Sequence, residues 1–353
     1  MRFKAALIFS SLALAFVFVT LLGGETAKVY AATDSDGDAL PDSWENGVTP
    51  DGLDLKALGA REGRKDVFVE MDFSSPALRN NIACDRLDAL VDAFRKAPVS
   101  NPNGSTGITL HLDAGKTCPS RSYNLGGSNG FTASQPCSPT GEPFGPNGAK
   151  MAMKRWPVFH HAAVVHRLCS AYGINYGSRF AIGADAAFTL VFMHEIGHGF
   201  GMDHDPAPNR ISNMSGPIYY QASASSGPQE VVDYQRWALP AVNEAHMDEF
   251  VGLGGPPQVN KYWAFWSCPA ELGGFIKGGW HARNGPLNWN CSEDALFMDT
   301  FQHGIQALDI SGDGQITRLK ATPNEWRRLN FAAGGQIGTP LPAQAASDTL
   351  VID

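Results

Sequence analysis

The chain has 353 residues, 43% hydrophobic and 18% charged, with 35 acidic side chains against 27 basic ones. That length and apolar share suffice for one large core or two modest ones and exclude disorder over most of the chain. The acidic balance argues against a nucleic-acid partner, whose phosphates demand the opposite sign.

In chain order, residues 1–4 carry two positive charges and precede the apolar run AALIFSSLALAFVFVTLL, then Gly23 and Gly24, then the stretch VYAA. That order predicts a signal peptide over residues 1–31, cut near Ala31 or Ala32. The mature protein is then secreted and extracellular, with no stable membrane insertion. An uncleaved N-terminal anchor is the competing reading, because the run is long for a signal core. No later segment is apolar and long enough to span a bilayer. All six cysteines lie beyond the run, and an even count in an exported chain predicts three disulfides. Proximity in sequence favours Cys118–Cys137 and Cys268–Cys291, leaving Cys84–Cys169.

Residues 32–60 form an N-terminal acidic segment containing DSDGDALPDSWE. Asp34, Asp36, Asp38, Leu40 (through its carbonyl), Asp42 and Glu45 fall at the ligand positions of an EF-hand-type loop, an oxygen set suited to calcium. Ala39 stands where such loops carry glycine, and a solvated acidic segment is the alternative.

Residues 61–255 read as the main domain. DVFVEMDF predicts a strand, IACDRLDALVDAFRKAP a helix with Leu87, Leu90, Val91 and Phe94 at helical spacing, and GITLHLDAG a second strand. A strand–helix–strand unit implies a parallel pair. Residues 116–150 shift to Gly, Ser, Asn and Pro, as in a long functional loop or insertion. VFHHAAVVHRLC is open between strand and helix, and SRFAIGAD reads as a short strand. His160, His161 and His166 invite a second metal set, against which stands the commoner role of core or surface histidines.

AAFTLVFMHEIGHGFGMDH is apolar around nearly its whole circumference, as a buried helix would be. On such a helix His194 and His198 lie about 40° apart on one face, and Glu195 lies about 100° round from His194. Gly201 can turn the chain so that His204 approaches the same point from outside the helix. Three neutral imidazoles with one position left open make a catalytic zinc site rather than a closed structural one. Zinc there would activate a water, with Glu195 as general base taking its proton and passing it to a leaving amine, so that peptide bonds are hydrolysed.

These residues resemble the signature of the metzincin metalloproteases, His-Glu-x-x-His-x-x-Gly-x-x-His, matched by His194, Glu195, His198, Gly201 and His204. The resemblance implies a supporting methionine turn downstream, and ISNMSG supplies Met214. Asp205 looks like the residue that braces the turn in several metzincin groups. Where some carry a tyrosine ligand after the methionine this chain has Gly216, with Tyr219 and Tyr220 nearby. The chain also looks like a group of bacterial secreted metzincin-type proteins with calcium-loop signatures, through RKDVFVEMDF, GITLHLDAG, FMHEIGHGFGMDH, DYQRWALPAVNEAHMDEFVGLGG, LNWNC and DISGDG. The resemblance implies an α+β fold of the zincin type: a twisted mixed sheet, an active-site helix, and a smaller C-terminal region.

The Pro/Gly-rich stretch GLGGPPQ marks a boundary, with residues 256–353 beyond it. Trp263, Trp266, Trp280, Trp289 and Trp326 there form either a binding face or a small aromatic core. DISGDGQITRLK offers Asp309, Ser311, Asp313 and the Gln315 carbonyl to a second calcium, though Lys320 occupies the closing position.

The sequence therefore predicts a monomeric zinc endopeptidase acting on protein or peptide substrates, with zinc and calcium as cofactors. The rival from another class is a calcium-stabilised extracellular binding or scaffold protein with an inactive zinc site, which would have no use for Glu195. A zinc hydrolase of non-peptide amides is a third reading.

Overall fold

The computed structural model describes residues 32–132, 142–169, 171–184, 187–204, 212–215, 219–221, 229–238, 241–248, 260–268, 276–282 and short pieces between 285 and 338. Its centre is a five-stranded sheet of β1 (Asp66–Phe73), β2 (Thr109–Asp113), β3 (Phe159–Val165), β4 (Gly173–Tyr176) and β5 (Arg179–Gly183), in the order β2-β1-β3-β5-β4. The pairs β1/β2, β1/β3 and β3/β5 are parallel, while the edge strand β4 runs antiparallel to β5. With helix α1 (Cys84–Arg95) between β1 and β2, the expected strand–helix–strand unit is present, and the class is α+β with a mixed sheet. VFHHAAVVHRLC resolves as strand β3, buried along its whole length between two parallel neighbours.

Strand alternation sorts the sheet into two unlike faces. Val67, Val69, Met71 and Phe73 join Leu87, Leu90 and Phe94 of α1 and Phe188, Phe192, Met193 and Ile196 of a second long helix, α2 (Phe188–Gly199), in one apolar cluster. On the opposite face β1 presents Asp66, Phe68, Glu70 and Asp72, all buried. A strand covered on both sides usually reads apolar throughout, so these carboxylates need partners. Arg155 supplies them, pairing with Glu70 and, at 2.7 Å, with Asp113, while His161 Nε2 lies 2.8 Å from Asp72. The loop above completes the set: the Leu125 and Gly127 amides donate to Asp113, and the Ser128 hydroxyl donates to Asp72.

The disulfides depart from the pairing by proximity. Cys84 bonds Cys118, with Cα atoms 5.8 Å apart, whereas Cys268–Cys291 is as expected. A helix that returns antiparallel to its two strands brings its own first turn beside the exit of the second strand, and Cys118 follows β2 closely. Crossover geometry thus outranks chain proximity. Cys169 is also disulfide-bonded; Cys137 lies outside the described residues.

The far end of the chain reaches into this core. Trp326 and Phe331 are buried in the cluster that holds α1 and α2, and the indole of Trp326 packs edge-on against Phe94 and tilted against Tyr234. Trp326 is therefore core, while Trp289 lies outside the described residues. Among the described residues no helix is long and apolar enough to cross a membrane.

Candidate metal centre

Helix α2 forms from FTLVFMHEIGHG and buries Phe188, Leu190, Phe192, Met193 and Ile196, so its position is set by packing rather than by a capping side chain. It stops where expected. Gly201 adopts φ +78, its amide donates to the His198 carbonyl at 2.9 Å, and the Met202 amide donates to the Gly197 carbonyl at 3.0 Å. This is the paired C-terminal cap that a left-handed glycine permits, and it reverses the chain toward His204.

The three imidazoles converge. Nε2 of His194 lies 3.0 Å from that of His204 and 3.1 Å from that of His198, and the His198–His204 pair is 3.2 Å apart. The His194–His198 contact is not a hydrogen bond between the rings. His194 Nδ1 lies 2.7 Å from the Asn213 carbonyl and His198 Nδ1 lies 2.7 Å from the Met202 carbonyl. A carbonyl only accepts, so each Nδ1 carries the proton, and in the neutral ring each Nε2 is left as a lone pair. Lone pairs directed at one point repel unless a cation sits between them. Nitrogens about 2.1 Å from one tetrahedral zinc lie about 3.4 Å apart, close to the spacings observed, so the donor set fits that ion. Burial pushes the His194 imidazole down to about 4 and the neighbouring rings add to the effect; His204 is lowered for the same reasons. Both shifts favour the neutral, ligating form.

Glu195 is nearly fully buried on the adjoining flank of α2, and burial pushes its carboxyl up to about 7. Its neighbour is β4, which the sequence reading did not identify. Gly173 lies so close that a Cβ there would overlap the Glu195 carboxylate, and Asn175 Nδ2 donates to the Glu195 carbonyl at 2.8 Å. Met214 sits in the turn Asn213–Ser215, buried, with its sulfur against Gly197 so tightly that a Cβ at Gly197 would overlap it. The same turn provides the Asn213 carbonyl that orients His194. Met214 thus lies beneath the helix segment between the two helical histidines, and Gly197 is the residue that admits it. The metzincin resemblance points to Met214 but not to the two carbonyls or to Gly173.

Asp205 and Gly216 lie outside the described residues, and Tyr219 and Tyr220 lie on the short strand Tyr219–Gln221. His160 and His161 point to opposite faces of β3: His161 pairs with Asp72, and His160 packs against Phe200. With His166 exposed, these three do not assemble a second metal set.

The N-terminal acidic loop brings two overlapping groups together. Ligand atoms of Asp34, Asp36 and Asp38 lie within 4.8 Å of one another, as do those of Asp38, Glu45 and Asp66. Asp34 accepts from the Gly37 amide at 2.7 Å and the Ala39 amide at 2.9 Å, and Ala39 takes φ +73 despite its Cβ. Asp42 is not in either group; it accepts from the Ser35 amide at 2.8 Å. Leu40 is buried through its side chain, and its amide donates to Asp38. Burial, with neighbouring carboxylates adding, pushes Asp38 up to about 8 and Glu45 up to about 9; burial raises Asp36 to about 6 against the lowering effect of Lys65. Of the C-terminal loop, Asp309, Ser311 and Asp313 lie outside the described residues, and Gln315 is exposed.

Residues 149–228 match the family model described as Peptidase M66. That stretch holds β3, β4, β5, α2, the three histidines, Glu195 and Met214. The match points to a metallopeptidase and so to a hydrolase that acts on protein or peptide. No curated protein and no solved structure matches the chain.

Proposed function

We propose that the protein is a secreted zinc endopeptidase of the metzincin type. The observation that carries this reading is the set of three converging Nε2 atoms, two of them left as lone pairs by backbone carbonyls, beside a buried carboxyl. His194, His198 and His204 would hold zinc. Zinc, when bound, supplies a Lewis acid and makes water a nucleophile near neutral pH.

The chain's own groups supply the rest. Glu195, poised near neutrality by burial, takes the proton of the attacking water and delivers it to the leaving amine nitrogen. Asn213 and Met202 hold two imidazoles through their carbonyls, so neither ring can turn its protonated nitrogen inward. Met214 fills the space under α2 and keeps the helix and the turn at fixed separation. Strand β4 is a sheet edge beside Glu195, where an extended peptide can add as a further strand.

The mixed sheet with its antiparallel edge and the helix packed across it support the metzincin type, and the disulfides support export. The acidic loop from Asp34 to Glu45 is read as a calcium loop that stabilises the scaffold. The test is cleavage of casein or a peptide library by zinc-loaded protein. Activity should vanish in Glu195→Gln while elemental analysis finds the zinc unchanged. Full activity in that variant would remove Glu195 from the chemistry, and an inert wild type with zinc and calcium present would leave the scaffold reading standing.

A further inference from the structure

We propose that Asp66, the first residue of β1, joins Asp36, Asp38 and Glu45 in holding one calcium ion, which clamps the N-terminal acidic loop onto β1. The proposal rests on the calcium reading of that loop and adds a ligand from outside it.

Ligand oxygens of Asp38, Glu45 and Asp66 lie within 4.8 Å of one another, and all three residues are buried. Glu45 is only 1% exposed, yet neither of its carboxylate oxygens has a hydrogen-bond partner; Asp36, at 5%, has one oxygen in the same condition. A buried carboxylate oxygen without a partner is costly, and several such groups facing one another repel in addition. Lys65, whose ammonium lies near Gly37, and His111, whose Nε2 is 2.6 Å from Asp66, are the basic groups at the cluster. Among the described residues neither forms an ion pair with Glu45, whose carboxylate is grouped with those of Asp38 and Asp66.

The other oxygens are already arranged. Asp66 accepts from the Arg61 amide at 2.8 Å and pairs with His111, and its own amide donates to Asp38 at 2.7 Å. Each carboxylate oxygen retains a second lone pair, so these bonds orient Asp66 without using it up. The donors are all oxygen, crowded and anionic, which selects a hard cation. A crowded set supplied wholly by the protein suits calcium better than magnesium, which demands a near-ideal octahedron and keeps its waters.

The consequence is mechanical. Leu40 and Trp44 of this segment are buried against Phe68 and Phe159 on the ionic face of the sheet. The clamp would therefore hold an apolar cover over the strand that pairs with both β2 and β3.

The experiment is calcium titration of zinc-loaded full-length protein by calorimetry after treatment with BAPTA, with zinc content verified, and the same titration with terbium, whose luminescence Trp44 should sensitise. Wild type should bind calcium and gain thermal stability. Glu45→Gln should abolish binding, and Asp66→Asn should weaken it by about tenfold or more. Wild-type affinity in Asp66→Asn, with binding lost in Glu45→Gln, would overturn the role of Asp66 and leave the loop reading intact; no binding in wild type would end both. Should Asp66→Asn fail to fold, a terbium-loaded crystal decides: an anomalous peak within about 2.6 Å of an Asp66 oxygen supports the clamp, and a peak coordinated by the loop alone refutes it.

Discussion

His160 should make stability fall on mild acidification. It is completely enclosed on β3, against Phe200 and under the end of α2, and its Nδ1 has no hydrogen-bond partner. Burial pushes its imidazole from 6.5 down to about 4. In the unfolded chain the ring takes up a proton near its ordinary value, while the folded protein refuses it. The folded form is therefore favoured above about pH 6.5, and that contribution drains away as pH falls toward about 4. Linkage over this interval costs about 2 kcal/mol by about pH 5 and about 3 kcal/mol by about pH 4. His160→Gln, which has no such titration, should lose that part of the slope. The assay is urea unfolding of both proteins at matched zinc and calcium from about pH 8 to about pH 5, plotted as the difference between them, so that effects common to both cancel. Parallel curves would refute the reasoning, because a ring that is protonated equally in both states contributes no slope.

Three further outcomes are expected. Arg155→Met strands Glu70 and Asp113 without their cation in a site closed to water, and should cost about 3–5 kcal/mol in chemical denaturation; a loss below about 1 kcal/mol would mean that the network is hydrated. Gly173→Ala places a methyl group where the Glu195 carboxylate lies, and should lower kcat by about a hundredfold with bound zinc unchanged by elemental analysis; an unaltered kcat would show that Glu195 works from another position. Replacing both Cys84 and Cys118 by serine opens a loop with a sequence separation of 34, which should cost about 3–4 kcal/mol in urea titration, and no change would show the bond to be dispensable.

The candidate metal centre was legible because its chemistry is local. His194, Glu195 and His198 fall on one helix and Gly201 follows at short range, so spacing brings the imidazoles together, while the metzincin resemblance pointed to Met214. The parallel unit around α1 was legible for a similar reason, since apolar periodicity records which side of an element is covered. Strand β4 left almost no trace: it has four residues, none fully buried, and its role comes from lying beside Glu195. Asp66 was hidden because a single carboxylate at the start of a strand does not announce a loop many residues away. The ionic face of β1 was hidden too, since Glu70 and Asp72 find Arg155 and His161 only through tertiary contacts. Disulfide pairing failed where the crossover, not the chain interval, decides which ends meet.

One arrangement bears on how the molecule matures. Glu325 accepts from the Ser212 hydroxyl and the Gln235 amide, and that hydroxyl in turn accepts from the Met214 amide. The Trp326 indole donates to Asp233, and the Asn330 amide donates to the Phe200 carbonyl at the cap of α2. These braces follow the turn by a long stretch of chain, 113 residues separating Ser212 from Glu325, so the ribosome delivers them after it. A shortened form stopping at residues 252–258 would carry His194, Glu195, His198 and His204, yet lack the props under the methionine turn. The final form of the candidate site thereby waits on a segment made long after its own residues have left the ribosome.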